Sequence, residues 1–295
     1  MRRALSVAVA VLFCTTFAIA QATAPSSQPQ RGGRGARGPA PLVVPNPALP
    51  TLWIASDSTA ANGARGWGSH MSDYIDTSKM NVVNGAMSGQ SSRTFQREGS
   101  WERIISKVKK GDVVLIQFGH NDITDVMTDD PIRQRGSIQA LGDETVQSPL
   151  GETVHTFGWY LKKMVNEVRA KEATPIILSH TTRRIWTNGK IERGASNTED
   201  PTKKNMAVLA IELAKAEKVP YVDLNNIVAD YYESLGEEKV AAFFPSDHTH
   251  TSPEGADVNA KFIVAGLKAL KDHPVDQYLS EKGKAVEPVT KYIEK

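Results

Sequence analysis

The chain has 295 residues, 40% of them hydrophobic and 23% charged, enough to bury the core of one large domain or two small ones. Its single cysteine, Cys14, lies in the N-terminal segment, so the rest of the chain is neither a disulfide scaffold nor a thiol enzyme. The formal charge is +2, but the first 48 residues hold five arginines and no acid; the remainder therefore carries −3 and is no evident binder of nucleic acid or anionic membranes.

Residues 1–20 read as an export signal. Arg2 and Arg3 form a basic start, Ala4–Ala18 is largely apolar, and Ala18-Ile19-Ala20 is a small-x-small cleavage site. The apolar part is too short for a membrane span, and Phe13 before Cys14 does not suit a lipoprotein anchor. Export to the periplasm or the medium, without stable membrane insertion, is expected. Residues 21–48 are rich in Pro, Gly, Ser, Ala and Arg, with R-G-G-R-G-A-R-G at their centre, and read as a flexible linker. A folded domain is expected over 49–275 and a C-terminal tail over 276–295.

Within the domain, short apolar runs alternate with helical patterns. The runs are Leu52–Ala55, Met80–Val83, Val113–Phe118, Pro175–Leu178 and Val219–Val222. Leu150, Val154, Phe157, Leu161, Met164, Val165 and Val168 recur at spacings of three and four, as one face of a helix would. A second helix is expected from Asp200 as cap and Pro201 at its first position, with Met206, Leu209, Ala210 and Leu213 inward. Strands alternating with helices predict an α/β class: a five-stranded parallel sheet in a three-layer α/β/α sandwich.

Two stretches break the pattern. Ile123–Gln147 is polar, and its acids do not match the D-x-D-x-D-G spacing of a calcium loop, so they read as solvated. Arg133 and Arg135 stand within it. Thr181–Thr198 follows the fourth run and carries Arg183, Arg184 and Trp186, which suit either a sugar-binding rim or an ordinary surface loop.

Ser58 sits in S-D-S-T at the end of the first run, where open α/β sheets place their ligand crevice. Alone, it reads as a helix cap; a nucleophilic serine needs a base, a group to orient the base, and oxyanion donors. F-F-P-S-D-H-T-H-T-S-P-E-G-A, Phe243–Ala256, supplies the first two. Ser252-Pro253 starts a helix that buries Phe262, Ile263, Leu267 and Leu270. Asp247 and His250, three apart just before it, let one tight turn bring the carboxylate to the imidazole Nδ1 and leave Nε2 for a serine proton. His248, adjacent to Asp247, points elsewhere and is a candidate substrate contact. A zinc site is the weaker reading, since H-E-x-x-H is absent. The backbone N–H of Ser58, the backbone N–H of Gly89 in N-G-A-M-S-G-Q-S-S-R, and the Asn121 amide in F-G-H-N-D would together form an oxyanion hole.

These four blocks, over about residues 50–272, resemble the SGNH hydrolases, the GDSL-type esterases, and within them the rhamnogalacturonan acetylesterase branch. Ser56-Asp57-Ser58 matches the first block, Gly89 the second, Gly119–Asp122 the third and Asp247–His250 the last; Ser56 departs from the usual glycine. The resemblance implies a flavodoxin-like SGNH hydrolase fold and a nucleophile at Ser58 with base His250 and acid Asp247. It also implies oxyanion donors at Ser58, Gly89 and Asn121, and neither metal nor organic cofactor. The expected partner is an acetylated plant cell-wall polysaccharide of the pectic type, handled by a monomer, with Arg183, Arg184, Trp186 and His248 as candidate substrate contacts. The alternatives are an acetylxylan or short-chain acetylesterase of the same fold, and a non-catalytic carbohydrate-binding protein.

Overall fold

The computed structural model describes residues 42–193 and 205–292. Strands Thr51–Ala55, Asn81–Asn84, Val113–Gln117, Thr174–Leu178 and Tyr221–Val222 form one parallel sheet, in the spatial order second, first, third, fourth, fifth. Trp53 lies opposite Val83 on one side and Val114 on the other. Because side chains alternate along a strand, the apolar runs divide between two cores. Leu52, Ile54, Val113, Leu115, Ile176 and Leu178 face one layer, with helices Leu224–Leu235 and Pro253–Leu267. Trp53, Ala55, Val114, Ile116 and Ile177 face the other, with helices Ser92–Arg97, Ser100–Ile105, Phe157–Ala170 and Met206–Ala216. Both faces being covered, the strands are apolar nearly throughout. Among the described residues no helix is long and apolar enough to cross a membrane.

Three boundaries differ from the sequence expectations, and a fourth cannot be compared. The amphipathic helix starts at Phe157, where the Thr156 hydroxyl accepts from the Trp159 N–H; Leu150 lies in an exposed turn, and Val154 belongs to strand Thr153–His155, paired antiparallel with Thr145–Gln147. Gly151, at φ +78°, makes the turn between them, and local pairing there overrides the helical spacing. The next helix is described from Met206, capped by Asn205; the expected Asp200–Pro201 start lies outside the described residues. Residues 276–292 are not a free tail. Leu279 bridges Ile75, the Ser280 N–H donates to the Tyr74 carbonyl, and Leu279 and Val286 are buried in the first core. At the other end, Leu42 and Val44 pack on the second core and the Asn46 N–H donates to Asn81 Oδ1, so residues 42–48 belong to the domain as well.

Candidate active site

The spatial order reverses between the first and third strands, and the loops leaving those two strands and the second converge at the sheet's carboxyl edge, where such folds open a crevice. The first strand runs into Asp57, whose carboxylate accepts from the Thr59 N–H at 2.9 Å and its hydroxyl at 2.8 Å, capping the short helix Ser58–Ala61. Asp57 is fully buried, and burial raises its pKa against those bonds. Ser56 is also buried and donates to Gln117 Oε1 at 2.6 Å, an oxygen that accepts from Thr59 Oγ1 and Trp67 Nε1 as well. A serine at this position therefore ties the turn that carries Ser58 to the end of the third strand.

Ser58 is 9% exposed, and its Oγ lies 2.9 Å from His250 Nε2. His250 Nδ1 lies 2.8 Å from Asp247 Oδ2. A hydrogen on Nδ1 then donates to the carboxylate and leaves the Nε2 lone pair for the serine hydroxyl. The other Asp247 oxygen accepts from the backbone N–H groups of Thr249 at 2.6 Å and His250 at 2.7 Å. Burial pushes this carboxyl up, but the bonds from His250 and Thr249 outweigh it and hold the group at about 2.

The second loop rests on the first: the Met87 N–H donates to the Ser56 carbonyl at 3.0 Å, and Ser88 Oγ donates to Asn62 Oδ1 at 2.8 Å. Gly89 has φ +77°, a left-handed backbone that glycine adopts without strain. The third loop joins them. Asn121 Nδ2 donates one hydrogen to the Gln90 carbonyl at 3.0 Å and retains a second. Buried Asp122 accepts from the Ser92 N–H at 3.1 Å, from Ser92 Oγ at 2.5 Å and from Ser137 Oγ at 3.0 Å. Burial raises its pKa to about 6 in spite of these donors. The arrangement can present a hydroxyl with a base, an acid that orients the base, and amide donors on neighbouring loops, which are the parts of acyl transfer.

A family model, the GDSL-like lipase/acylhydrolase family, matches residues 55–258. The chain belongs to that family. It is 33% identical over 239 residues to the rhamnogalacturonan acetylesterase of Emericella nidulans, covering 78% of this chain and 91% of that one. It is 28% identical to the rhamnogalacturonan acetylesterase RhgT of Bacillus subtilis, over 79% of this chain and 96% of the other. Among solved structures it is similar to the B. subtilis protein YxiM, with a TM-score of 0.57 and 26% identity over 75% of this chain and 56% of that one. The acetylxylan esterase Axe2 of Geobacillus stearothermophilus shares the fold at a TM-score of 0.50 and 15% identity, over 73% of this chain and 92% of that one. The protein is thus an ester hydrolase of the SGNH fold.

The four expected substrate contacts of this esterase lie in different settings. Arg183 is not on a rim: it is 9% exposed, and its Nη2 donates to the His120 carbonyl at 3.3 Å. Arg184 is half-buried and gives its backbone N–H to the His248 carbonyl at 2.8 Å. Trp186 opens a small hairpin, Trp186–Thr187 with Lys190–Ile191, and packs its ring against the first core. His248 is exposed beside Asp247. Of the two arginines in the long loop, Arg133 is exposed and pairs with Asp130, whereas Arg135 is half-buried and donates from Nη1 to the Gly89 carbonyl at 3.1 Å.

The sequence reading passed over Gln117 and the buried ring pair of His120 and His180, whose centroids are 4.6 Å apart. His120 Nε2 lies 2.9 Å from Thr181 Oγ1; burial drives His120 well below its ordinary range and takes His180 to about 4, so both are neutral. The available signal was a polar residue closing an otherwise apolar strand, Gln117, and two histidines each just past a strand end.

Proposed function

We propose that this esterase is exported and removes acetyl groups from rhamnogalacturonan, with Ser58 as nucleophile, His250 as base and Asp247 as its orienting acid. The observation that carries the mechanism is the hydrogen-bonded line from Ser58 Oγ through His250 to Asp247, beside loops that hold Gly89 and Asn121. Ser58 Oγ attacks the acetyl carbonyl carbon while Nε2 of His250 takes the hydroxyl proton. The N–H groups of Ser58 and Gly89 and the Asn121 amide hold the oxyanion. The bond to the sugar oxygen breaks as His250 returns the proton to it. Water then attacks the acyl-serine as His250 takes one of its protons; His250 passes that proton to Ser58 Oγ as the acyl–oxygen bond breaks, and acetic acid leaves and ionises to acetate.

The substrate reading is supported by the names of the relatives and by Arg135, a guanidinium fixed against Gly89, since arginine pairs with carboxylates such as those of uronic acids. Arg184, Trp186 and His248 complete the alcohol side in this reading, and the enzyme acts as a monomer. The test is acetate release from acetylated rhamnogalacturonan and from acetylxylan, with a chain-length series of aryl esters. A higher kcat/KM on the pectic polymer and on short acyl chains is expected. Equal rates on the two polymers would leave a general acetylesterase, and a preference for long chains would point to lipid esters.

A further inference from the structure

We infer that Arg65 is a positioning residue that sets the Asp247–His250 pair against Ser58, an inference resting on the proposed Ser58–His250–Asp247 chemistry. Arg65 ends the single-turn helix Gly63–Arg65 that follows the nucleophile helix, so its backbone belongs to the Ser58 side of the site. Its side chain reaches the other side. Nη2 donates to Ser246 Oγ at 2.7 Å, and Nε donates to the Thr251 carbonyl at 3.3 Å. In return, Thr251 Oγ1 donates to the Arg65 carbonyl at 3.1 Å. Ser246 immediately precedes Asp247 and Thr251 immediately follows His250. One guanidinium therefore grips both ends of the stretch that carries the acid and the base.

The stretch needs such a grip. It has neither helix nor strand, and its side chains remain 42% exposed at Asp247 and 32% at His250. The bonds from Thr249 and His250 to Asp247 fix acid to base, but not the pair to Ser58. From one side the Arg184 N–H holds the His248 carbonyl; from the other, Arg65 holds the two ends. A planar fork of donors reaches two acceptors in fixed directions, which an ammonium with rotating donors on a flexible stem does not impose. Proton transfer from Ser58 to His250 depends on their separation, and a misplacement of about 1 Å can cost ~100-fold in rate.

The test uses Arg65→Ala, Arg65→Lys, Ser246→Ala and the Arg65→Ala/Ser246→Ala double variant, with an aryl acetate as substrate. For Arg65→Ala, kcat should fall about ten- to a hundredfold while KM stays within about twofold, because position and not binding is lost. Arg65→Lys should restore less than half of the lost rate, on a logarithmic scale. The double variant should be no slower than Arg65→Ala alone, since both changes remove one shared contact. The thermal midpoint of each variant shows that the folded fraction is not the cause. An unchanged kcat in Arg65→Ala, a loss confined to KM, or fully additive losses would each overturn the inference. Ser58→Ala separates the two readings. If it is inactive while Arg65→Ala works normally, only the Arg65 inference fails; if Ser58→Ala stays active, the nucleophile assignment fails and the Arg65 inference with it.

Discussion

Two halves of one site are held in different ways. Ser58, Gly89 and Asn121 follow three adjacent strands, and buried or half-buried polar groups lock their loops to one another: Ser56 to Gln117, Asn84 to the Ala60 carbonyl, Asn121 to the Gln90 carbonyl and Ser92 to Asp122. Asp247 and His250 hang from an irregular, partly exposed segment fixed by a few bonds at its edges. Donors that must meet a developing charge gain from a rigid frame that needs no reorganisation. The proposed acid–base pair has a different requirement: its internal geometry is local, and only its distance from Ser58 has to be supplied from outside. Substitutions in the first half should therefore cost more stability along with rate than those in the second.

The largest effect should come from the contact where the halves meet. Ser58→Ala and His250→Ala should each lower kcat by at least ~10⁴-fold, as single losses from such constellations do. His250→Ala should leave the thermal midpoint within a degree or two of wild type, on the order expected for a partly exposed site. A large fall in the midpoint for His250→Ala would mean that the loop is as deeply built into the fold as the sheet edge.

Asn121→Ala sharpens the contrast from the other side. Loss of one oxyanion donor typically costs ~10²–10³ in kcat. It also strips the Gln90 carbonyl of its donor, at about 1–3 kcal/mol if that group stays buried. Both kcat and denaturant midpoint should fall, with KM little changed. A fall in KM affinity alone would make Asn121 a substrate contact instead.

The smallest effect is a pair of opposite pH slopes. Asp122 titrates at about 6 in the fold against an ordinary value of 3.8, so the unfolded chain releases its proton first. Its contribution is most favourable below about pH 4 and is lost as pH rises through 6. Asp247, held at about 2, contributes stability that is present above about pH 4 and is lost as pH falls through 2. Thermal midpoints measured across this range should flatten between pH 4 and 6 in Asp122→Asn, and between pH 4 and 2 in Asp247→Asn. Identical profiles for both variants and wild type would show that neither carboxyl is perturbed.

Local chemistry was legible in the sequence wherever the relevant contact closes within one strand or one turn. The apolar runs determined the five strands, because a strand covered on both faces is apolar nearly throughout. The spacing of Asp247 and His250 determined that carboxylate and imidazole could meet, and Ser252-Pro253 marked the helix start that the structure has. The spacing of Leu150 and Val154 misled because Val154 pairs antiparallel with Val146 and Leu150 lies in the turn between the two strands. Only the tertiary structure decided the rest. Which loops meet depends on the strand order, and a composition pattern carries no record of that order. Ser56 gains its partner Gln117 from the neighbouring strand, and Arg183 is drawn under the site onto the His120 carbonyl while Arg135 is carried up to Gly89. Arg65 meets Ser246 and Thr251 across more than half of the chain's length, and Ser58 meets His250 across more still. Such contacts exist because two cores and a parallel sheet bring distant segments to one edge, and no periodicity in the residues between them encodes the distance.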